Sequence, residues 1–283
     1  MRLTHVNMFS DDAEMFNFSL RDLDYNAKYQ VRSIFGLDTD EIIHKFYGFG
    51  KSTKSKFYNF GLKAREISIR SVLNPNWRNT ETYSDVRDEL YRLIASNRTG
   101  IITLHFNSGA TTVAKIDGYI TKFEVPYFAE LPEVQITIQC EDPMFRGLNP
   151  IVYTEEDIYS PIENKILISD SHSTAPHGFT AQLTVITAVA ELRFKEQATN
   201  PDWEFAIIYP GGFLVGDVVY LSSEFSNKSL YMMRAGGRID LVDRIVPTSV
   251  WPIIFPGRTE FVVNNPPNLH IDNLSFYPAY WGV

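Results

Sequence analysis

Residues 67–72 read Ile-Ser-Ile-Arg-Ser-Val, and residues 134–139 read Val-Gln-Ile-Thr-Ile-Gln. Apolar and polar side chains alternate in both stretches, so every second side chain lies on the same face of an extended chain. One face then packs on a core and the other meets solvent, which is typical of antiparallel strands. The turn triplet Asn-Ser-Gly at 107–109 separates two further predicted strands, 101–106 and 115–123. These stretches predict a mostly β protein.

The segment 82–97 follows a helical period instead. Thr82 is followed three residues later by an acid, Asp85, which is typical of a helix N-terminus. The sequence therefore predicts one α-helix in an otherwise β first half. The apolar residues that share one face of this helix are Val86, Leu90, Leu93 and Ile94.

The chain has 283 residues, which favours two domains over one. Two prolines and a glycine within residues 142–150 predict the end of a strand and a linker. The charge balance changes at the same place, because residues 1–150 carry a net charge of −1 and residues 151–283 carry −7. We therefore expect an N-terminal β-domain over 1–147 and a C-terminal domain over 148–283.

The second half is predicted to be a β-sandwich, because short strand patterns alternate with turn signals. The turns include Pro-Gly-Gly at 210–212 and Gly-Gly at 236–237. The predicted strands are 179–195, 203–209, 217–222, 229–234 and 261–263.

Cysteine content and hydropathy indicate the redox compartment of the protein and whether it inserts into a membrane. Cys140 is the single cysteine, so it has no internal disulfide partner, and assembly in a reducing compartment fits best. Its place at the end of an alternating strand predicts a buried, inert thiol. The N-terminus lacks a signal-peptide pattern, and no apolar run reaches the roughly 18 residues of a membrane helix. We expect a soluble protein without a membrane partner.

Gly50, Lys51 and Ser52 resemble the end of a phosphate-binding loop. That loop requires a further glycine at position 45, which is Lys45 here, and a helix directly after it. The residues that follow, Lys-Ser-Lys-Phe-Tyr at 54–58, show no helical period. The pattern therefore favours a polar hairpin or loop over nucleotide binding.

The same region is basic and aromatic, with no acid between residues 45 and 65. It could hold a nucleic-acid strand by stacking, but the surrounding domain is near neutral and the second half is acidic, so we expect no specific nucleic-acid binding. We interpret the region as a protein-contact loop. Its candidate contact residues are Lys45, Lys51, Lys54, Lys56, Phe57 and Tyr58.

No catalytic or metal-binding pattern stands out. The six histidines show no zinc-ligand spacing. The nearest approach to a site is Ser-Asp-Ser-His at 169–172 with His177 nearby, and a polar loop is favoured there. No Gly-x-Ser-x-Gly motif of a hydrolase is present. We predict no catalytic, cofactor-binding or metal-binding residue, and a protein that is not an enzyme.

Three features in this order resemble a known family. The first is the strand 67–72, then Asn-Pro-Asn-Trp at 74–77, the helix 82–97 and the strand 101–106. The second is the strand end 136–145. The third comprises Gly216 and Asp217, Trp251, Pro-Gly-Arg-Thr-Glu-Phe at 256–261 and Tyr-Pro-Ala-Tyr-Trp-Gly at 277–282. Together they look like the distal tail proteins of long-tailed, siphovirus-type bacteriophages.

The resemblance implies an N-terminal β-domain with one helix and a long hairpin, followed by a galectin-like β-sandwich. It further implies a hexameric ring in the virion, at the tail tip, that contacts the tail tube protein, the tip hub protein and, in many phages, receptor-binding proteins. DNA would pass through the ring, and assembly would take place in the host cytoplasm. The family has no catalytic residues to transfer.

Two other functions are open. A carbohydrate-binding β-sandwich on a virion or cell surface would need an aromatic platform, for which Trp203 and Trp251 are candidates, although core packing is favoured for both. A glycosidase would need paired carboxylates, which the sequence does not nominate.

Overall fold

The protein is described by a computed structural model. Its described residues divide into two compact units, residues 1–148 with 281–283 and residues 149–280. The last three residues, expected in the second domain, therefore lie in the first unit. Side chains are not described at 14–15, 42–48, 55–62, 96, 159–160 and 263. The described residues are 3–10, 13–20, 24, 26–38, 42–48, 55–75, 80–96, 99–125, 132–160, 165–197, 203–225, 227–263 and 269–283.

The first unit contains ten strands and one helix among its described residues. In chain order they are β1 (His5–Ser10), β2 (Ala13–Leu20), β3 (Tyr29–Phe35), β4 (Ile42–Gly48), β5 (Ser55–Leu62), β6 (Arg65–Leu73), α1 (Tyr83–Ser96), β7 (Ile102–Ser108), β8 (Thr111–Glu124), β9 (Glu133–Cys140) and β10 (Phe145–Arg146).

Seven of these strands close into a barrel. Their order is β8–β7–β1–β2–β3–β6–β9, and β9 pairs with β8 again. All neighbours are antiparallel except β2 and β3, which run parallel. The alternating strand stretches predicted at 67–72 and 134–139 lie in β6 and β9, which pair directly: Ile67 faces Ile138 and Ile69 faces Ile136. These four side chains are fully buried.

Strand β8 closes the barrel because it pairs with two strands in succession along its length. Its first half pairs with β7 as far as Gly118, and its second half pairs with β9 from Tyr119 onward. Gly118 stands at the change of partner. A Cβ atom there would lie 2.7 Å from the carbonyl oxygen of Gln139, so only glycine allows this close approach.

The predicted helix is present as α1. Thr82 and Asp85 form a reciprocal cap: the Thr82 amide donates to Asp85 Oδ2 at 2.8 Å, and the Asp85 amide donates to Thr82 Oγ1 at 3.3 Å. Of the four apolar residues, Val86, Leu90 and Ile94 are buried and Leu93 is half-buried. The helical period therefore correctly identified the buried face.

The second unit contains twelve strands, one short α-helix and one 3₁₀ turn (Val242–Arg244) among its described residues. In chain order they are β11 (Ile151–Tyr153), α2 (Glu155–Ile158), β12 (Tyr159–Ser160), β13 (Lys165–Asp170), β14 (Thr180–Val185), β15 (Val189–Glu196), β16 (Glu204–Phe213), β17 (Val218–Glu224), β18 (Asn227–Arg234), β19 (Gly237–Asp240), β20 (Gly257–Val263), β21 (Leu269–Phe276) and β22 (Ala279–Tyr280).

Two sheets of this unit share one hydrophobic core. One sheet has the order β11–β21–β14–β17–β18–β19, and the other has the order β12–β13–β20–β15–β16. Leu183 and Leu221 from the first sheet pack in one cluster with Ile168 and Phe194 from the second. Alternating burial along β13 and β14 shows that each of these two strands buries one face more fully than the other.

The structure corrects three sequence-based expectations. The stretch 179–195 is two strands, because the chain leaves one sheet after β14 and enters the other at β15, with residues 186–188 exposed between them. The triplet 210–212 does not end a strand; it forms an irregularity within β16, where Gly211 and Gly212 have positive φ. The linker 142–150 contains β10, whose Phe145 is fully buried.

Candidate functional site

The predicted contact loop lies on a two-stranded hairpin. Strands β4 and β5 pair antiparallel, with Lys45 opposite Asn59 and Tyr47 opposite Lys56. Phe57 and Tyr58 follow on β5. Lys51 and Lys54 fall outside the described residues. The backbone thus places four of the six predicted residues on one hairpin, and their role in contact stays a prediction.

Gly50, Lys51 and Ser52, which resemble the end of a phosphate-binding loop, lie outside the described residues. Such a loop cradles its anion at the N-terminus of the helix that follows it. Here the chain continues into β5, and the next helix along the described chain, α1, begins only at Tyr83. From position 55 the described residues form a strand, where such a loop requires a helix.

Metal-binding side chains do not converge in the described residues: no group of three or more His, Cys, Asp or Glu is placed to hold an ion. Cys140 is a free thiol and fully buried in β9. The described residues also include no helix with the length and hydropathy of a membrane span.

The segment 169–177, the nearest approach to a site in the sequence, contains a buried hydrogen-bonded pair, Asp170 and His177. His177 Nε2 lies 2.9 Å from Asp170 Oδ2, and its Nδ1 lies 3.0 Å from the carbonyl oxygen of Gly178. The imidazole stacks on Phe276, with ring centroids 4.6 Å apart. His172, by contrast, is exposed. Both ring nitrogens of His177 therefore lie within hydrogen-bond distance of an oxygen atom of the protein.

Asp170 is held ionised in this pair. Burial alone would raise the pKa of its carboxyl, but hydrogen bonds from His177 and from the amides of Ser173 and His172 outweigh burial and lower the pKa to about 2. Ser173 Oγ accepts a hydrogen bond from the Ala279 amide. These bonds join residues 170–173 to His177 and to Ala279, so the arrangement braces neighbouring loops of the second unit.

The two tryptophans considered as sugar platforms pack into the second unit. Trp251 packs against the core, with its ring 5.2 Å from that of Phe205. Trp203 lies against Phe255 at 5.5 Å. The core packing favoured from the sequence is therefore what the structure shows for Trp251.

Sequence reasoning missed an exposed apolar tip, formed by Ile186, Leu214 and Val215. Their exposed fractions are 49%, 48% and 67%. The Gly216 amide donates to the Val185 carbonyl at 2.9 Å, which joins the two loops. Isolated exposed apolar residues are ordinary on protein surfaces, so only their grouping on adjacent loops marks the tip as a candidate contact.

A buried carboxylate fixes the loop that carries the tip. Asp217 accepts a hydrogen bond from the Leu214 amide at 2.7 Å and another from Arg234 Nε at 2.9 Å. The bond from Arg234 is the main reason that the pKa of Asp217 is lowered. Arg234 also donates to the carbonyl of Gly212. The tip is thus presented on a rigid turn.

Comparison with known proteins identified similarity in structure only. No protein-family model and no curated protein sequence matches the chain. The crystal structure of the SPP1 Dit protein, described as a paradigm of the hub adsorption apparatus in phages that infect Gram-positive bacteria, aligns with a TM-score of 0.60 and 13% identity. The alignment covers 97% of this chain and 98% of the Dit chain. The chain therefore shares this fold over nearly its whole length.

Two chains from structures of the phage P2 baseplate in its activated conformation also align. The calcium form gives a TM-score of 0.46 at 9% identity and covers 100% of both chains. The strontium form gives 0.41 at 9% identity, over 95% of this chain and 97% of the other. TM-scores below 0.5 do not establish a common fold.

Proposed function

We propose that this protein is a structural subunit of a phage tail-tip ring. In this role it joins the tail tube to the tip hub, offers attachment to receptor-binding proteins and surrounds part of the path taken by DNA. It resides in the virion, at the tail tip, after assembly in the host cytoplasm. It is proposed to act as an adaptor without catalysis.

One observation carries the proposal: the alignment with the SPP1 Dit protein extends over both units rather than one. A shared barrel alone would be weak support, because one fold hosts many functions. A match that includes both units, in the same order and at nearly equal length, supports the same kind of role. We propose that the second unit, with two sheets around one core, is the galectin-like sandwich that the family resemblance implies.

The barrel also suits ring formation. Its closed strand order leaves no free sheet edge among the seven strands, so uncontrolled edge pairing is avoided. Strand pairing between copies would then have to use elements outside the barrel. The β4–β5 hairpin is one such element, and its lysines and aromatic residues suit a heterologous contact with an adjacent subunit or another tail protein.

Oligomeric state is the first test. Native mass spectrometry of the purified protein should give a species about six times the 32.4 kDa subunit, and negative-stain images should show rings. Because a ring can also close only on the tail, the same protein should be located in purified virions by antibody labelling. Labelling confined to the tail tip supports the proposal. A stable monomer that is absent from virions would contradict it.

Charge reversal tests the hairpin separately. The triple change Lys51→Glu, Lys54→Glu and Lys56→Glu should impair ring or tail assembly, since like charges would oppose the proposed contact. A matched control reverses three exposed cations of the second unit: Lys195, Arg244 and Arg258. Both variants should stay folded by circular dichroism. Normal assembly of the hairpin variant would show that the hairpin lysines are not part of the interface. The proposed ring would then still be decided by the measurement of oligomeric state.

A further inference from the structure

A groove crosses the outer face of the six-stranded sheet in the second unit. It has a volume of about 270 Å³. Four directly paired residues, one on each of the neighbouring strands β21, β14, β17 and β18, lie in a row across this face of the sheet. The members of this row are Asn273, Gln182, Tyr220 and Tyr231.

Two tyrosines form the aromatic wall of the groove. The rings of Tyr220 and Tyr231 are stacked, with centroids 4.8 Å apart and planes inclined by 11°. Arg238, on β19, places its guanidinium carbon 3.9 Å from the centroid of the Tyr231 ring. Because β17 and β19 flank β18 on opposite sides, Arg238 and Tyr220 cover opposite faces of Tyr231. The stack fixes both tyrosine rings upright on the sheet.

The stack is open at one end. The second face of Tyr220 is turned away from Tyr231, toward Gln182 on β14. Within the described residues, no other ring and no cation covers this face. Tyr220 lines the groove, and the Gln182 side chain on this side reaches toward Asp272 on β21. A ligand ring above Gln182 would therefore continue the stack.

Polar groups without protein partners lie on both sides of the tyrosine pair. Across the described part of the chain, the hydroxyls of Tyr220 and Tyr231, the amide of Asn273 and the hydroxyl of Ser229 have no hydrogen-bond partner in the protein. Gln182 is oriented by donating to Asp272 Oδ2 at 3.2 Å, which leaves its amide oxygen as an acceptor. The groove therefore offers both donors and acceptors.

The charge and volume of the groove limit the chemical class of ligand that it can bind. None of the ten residues that line the groove is charged, so it has no counter-ion for a phosphate or carboxylate. Its volume is slightly below the roughly 300–1,000 Å³ of sites for drug-sized ligands, which suits one or two small rings. A ligand with an apolar ring face and hydroxyl groups around its edge matches both the open tyrosine face and the neutral polar rim.

We infer that this groove binds a neutral sugar, with one pyranose ring stacked on Tyr220 and its hydroxyls bonded to Gln182 and Asn273. This function goes beyond the proposed ring, and it holds whether or not the protein forms one. The tryptophans considered from the sequence play no part in it.

The full-length protein tests the inference with defined probes. Saturation-transfer NMR and calorimetry would be performed with neutral di- to tetrasaccharides of glucose, galactose and N-acetylglucosamine, and in a second arm with glucuronic acid oligomers. At least one neutral sugar should bind. Tyr220→Ala should weaken that binding by about tenfold or more, because truncation of a central aromatic contact removes most of the stacking surface. Tyr220→Phe should keep the stacking surface and weaken binding much less.

The matched control is Tyr119→Ala, which removes a tyrosine of 37% exposure from a strand of the first unit. It should leave binding unchanged. The inference is overturned if no neutral sugar binds, if the acidic oligomers bind more tightly than the neutral ones, or if the Tyr220 and Tyr119 variants behave alike. Circular dichroism of each variant separates loss of the groove from loss of the fold.

Discussion

The guanidinium of Arg65 donates a hydrogen bond of 2.7 Å from Nη2 to the carbonyl oxygen of Trp281, 216 positions later in the chain. Arg65 is 1% exposed and stacks on Phe145, with its guanidinium carbon 4.6 Å from the ring centroid. Its other donors reach the carbonyls of Pro143, Gly36 and Asp38. One side chain therefore ties the C-terminal residues and two loops to the start of β6.

Replacing Arg65 should destabilise the first unit strongly. Lysine keeps the charge but cannot serve four carbonyls with a planar fork, so several buried acceptors would lose a charged donor. We expect Arg65→Lys to cost at least about 3 kcal/mol of unfolding free energy. Denaturant unfolding, read by hydrogen exchange in peptides of β6 and β9, measures the loss.

Arg70 is the control for this prediction. It lies on the same strand, is exposed and donates to Gln135 at 3.1 Å. Arg70→Lys should change stability by no more than about 0.5 kcal/mol. Equal effects of the two substitutions would show that the carbonyl cluster around Arg65 is not a stabilising centre. Removal of residues 281–283 takes away one of the four carbonyls that Arg65 contacts, so it should cause part of the same loss of unfolding free energy.

The Asp170–His177 pair predicts an acid-dependent loss of stability. The folded-state pKa of Asp170, about 2, lies below its ordinary value of 3.8. The stabilisation is therefore complete above about pH 4 and is lost as the pH falls toward 2, by about 2 kcal/mol at most. Hydrogen exchange in β13 and β14, followed from pH 5 to pH 2, would reveal this dependence.

Asp170→Asn should lower stability at neutral pH and flatten the profile between pH 4 and 2. Asp243→Asn, in the exposed 3₁₀ turn, removes the same formal charge and should leave the profile as it is. If both variants keep the slope of the original protein, another carboxylate is responsible for it.

Gly118 should be intolerant of a side chain. A Cβ atom would meet the Gln139 carbonyl oxygen and Ile138 Cγ2, each at 2.7 Å, where β8 passes from β7 to β9. Gly118→Ala should destabilise the barrel by roughly 1–3 kcal/mol through overpacking. Thermal unfolding checks the size of the loss. Gly237→Ala is the control, because a Cβ atom there meets nothing nearer than the Arg234 carbonyl oxygen at 3.5 Å.

The cap of α1 should contribute less to the free energy of unfolding than Arg65 does. Thr82→Ala removes the hydroxyl that accepts from the Asp85 amide and donates to its carboxylate. We expect a loss of about 1 kcal/mol, confined to the first turns of α1. Hydrogen exchange in residues 83–90 reports it, with Thr99→Ala as an exposed control. Unchanged exchange would mean that packing of Val86 and Leu90 alone holds the helix start.

The features that could be predicted are those that nearby residues decide. Alternation at 67–72 and 134–139 identified β6 and β9, and spacings of three and four identified the buried face of α1. The break within 179–195 was missed because β-branched residues continue through it, and only the change of sheet interrupts the strand. Tyr220 and Tyr231 were missed as a pair because their contact depends on the register of two strands.

The sequence by itself determined a mostly β chain, one capped helix in its first half and a buried Cys140, since each depends on hydropathy or hydrogen bonds within a few residues. The tertiary structure alone decided the closure of the barrel, the carbonyl environment of Arg65, the Asp170–His177 pair and the tyrosine stack. Each of these joins residues from different elements. Their positions follow from strand pairing and packing, and neither is encoded in the periodicity of a single segment.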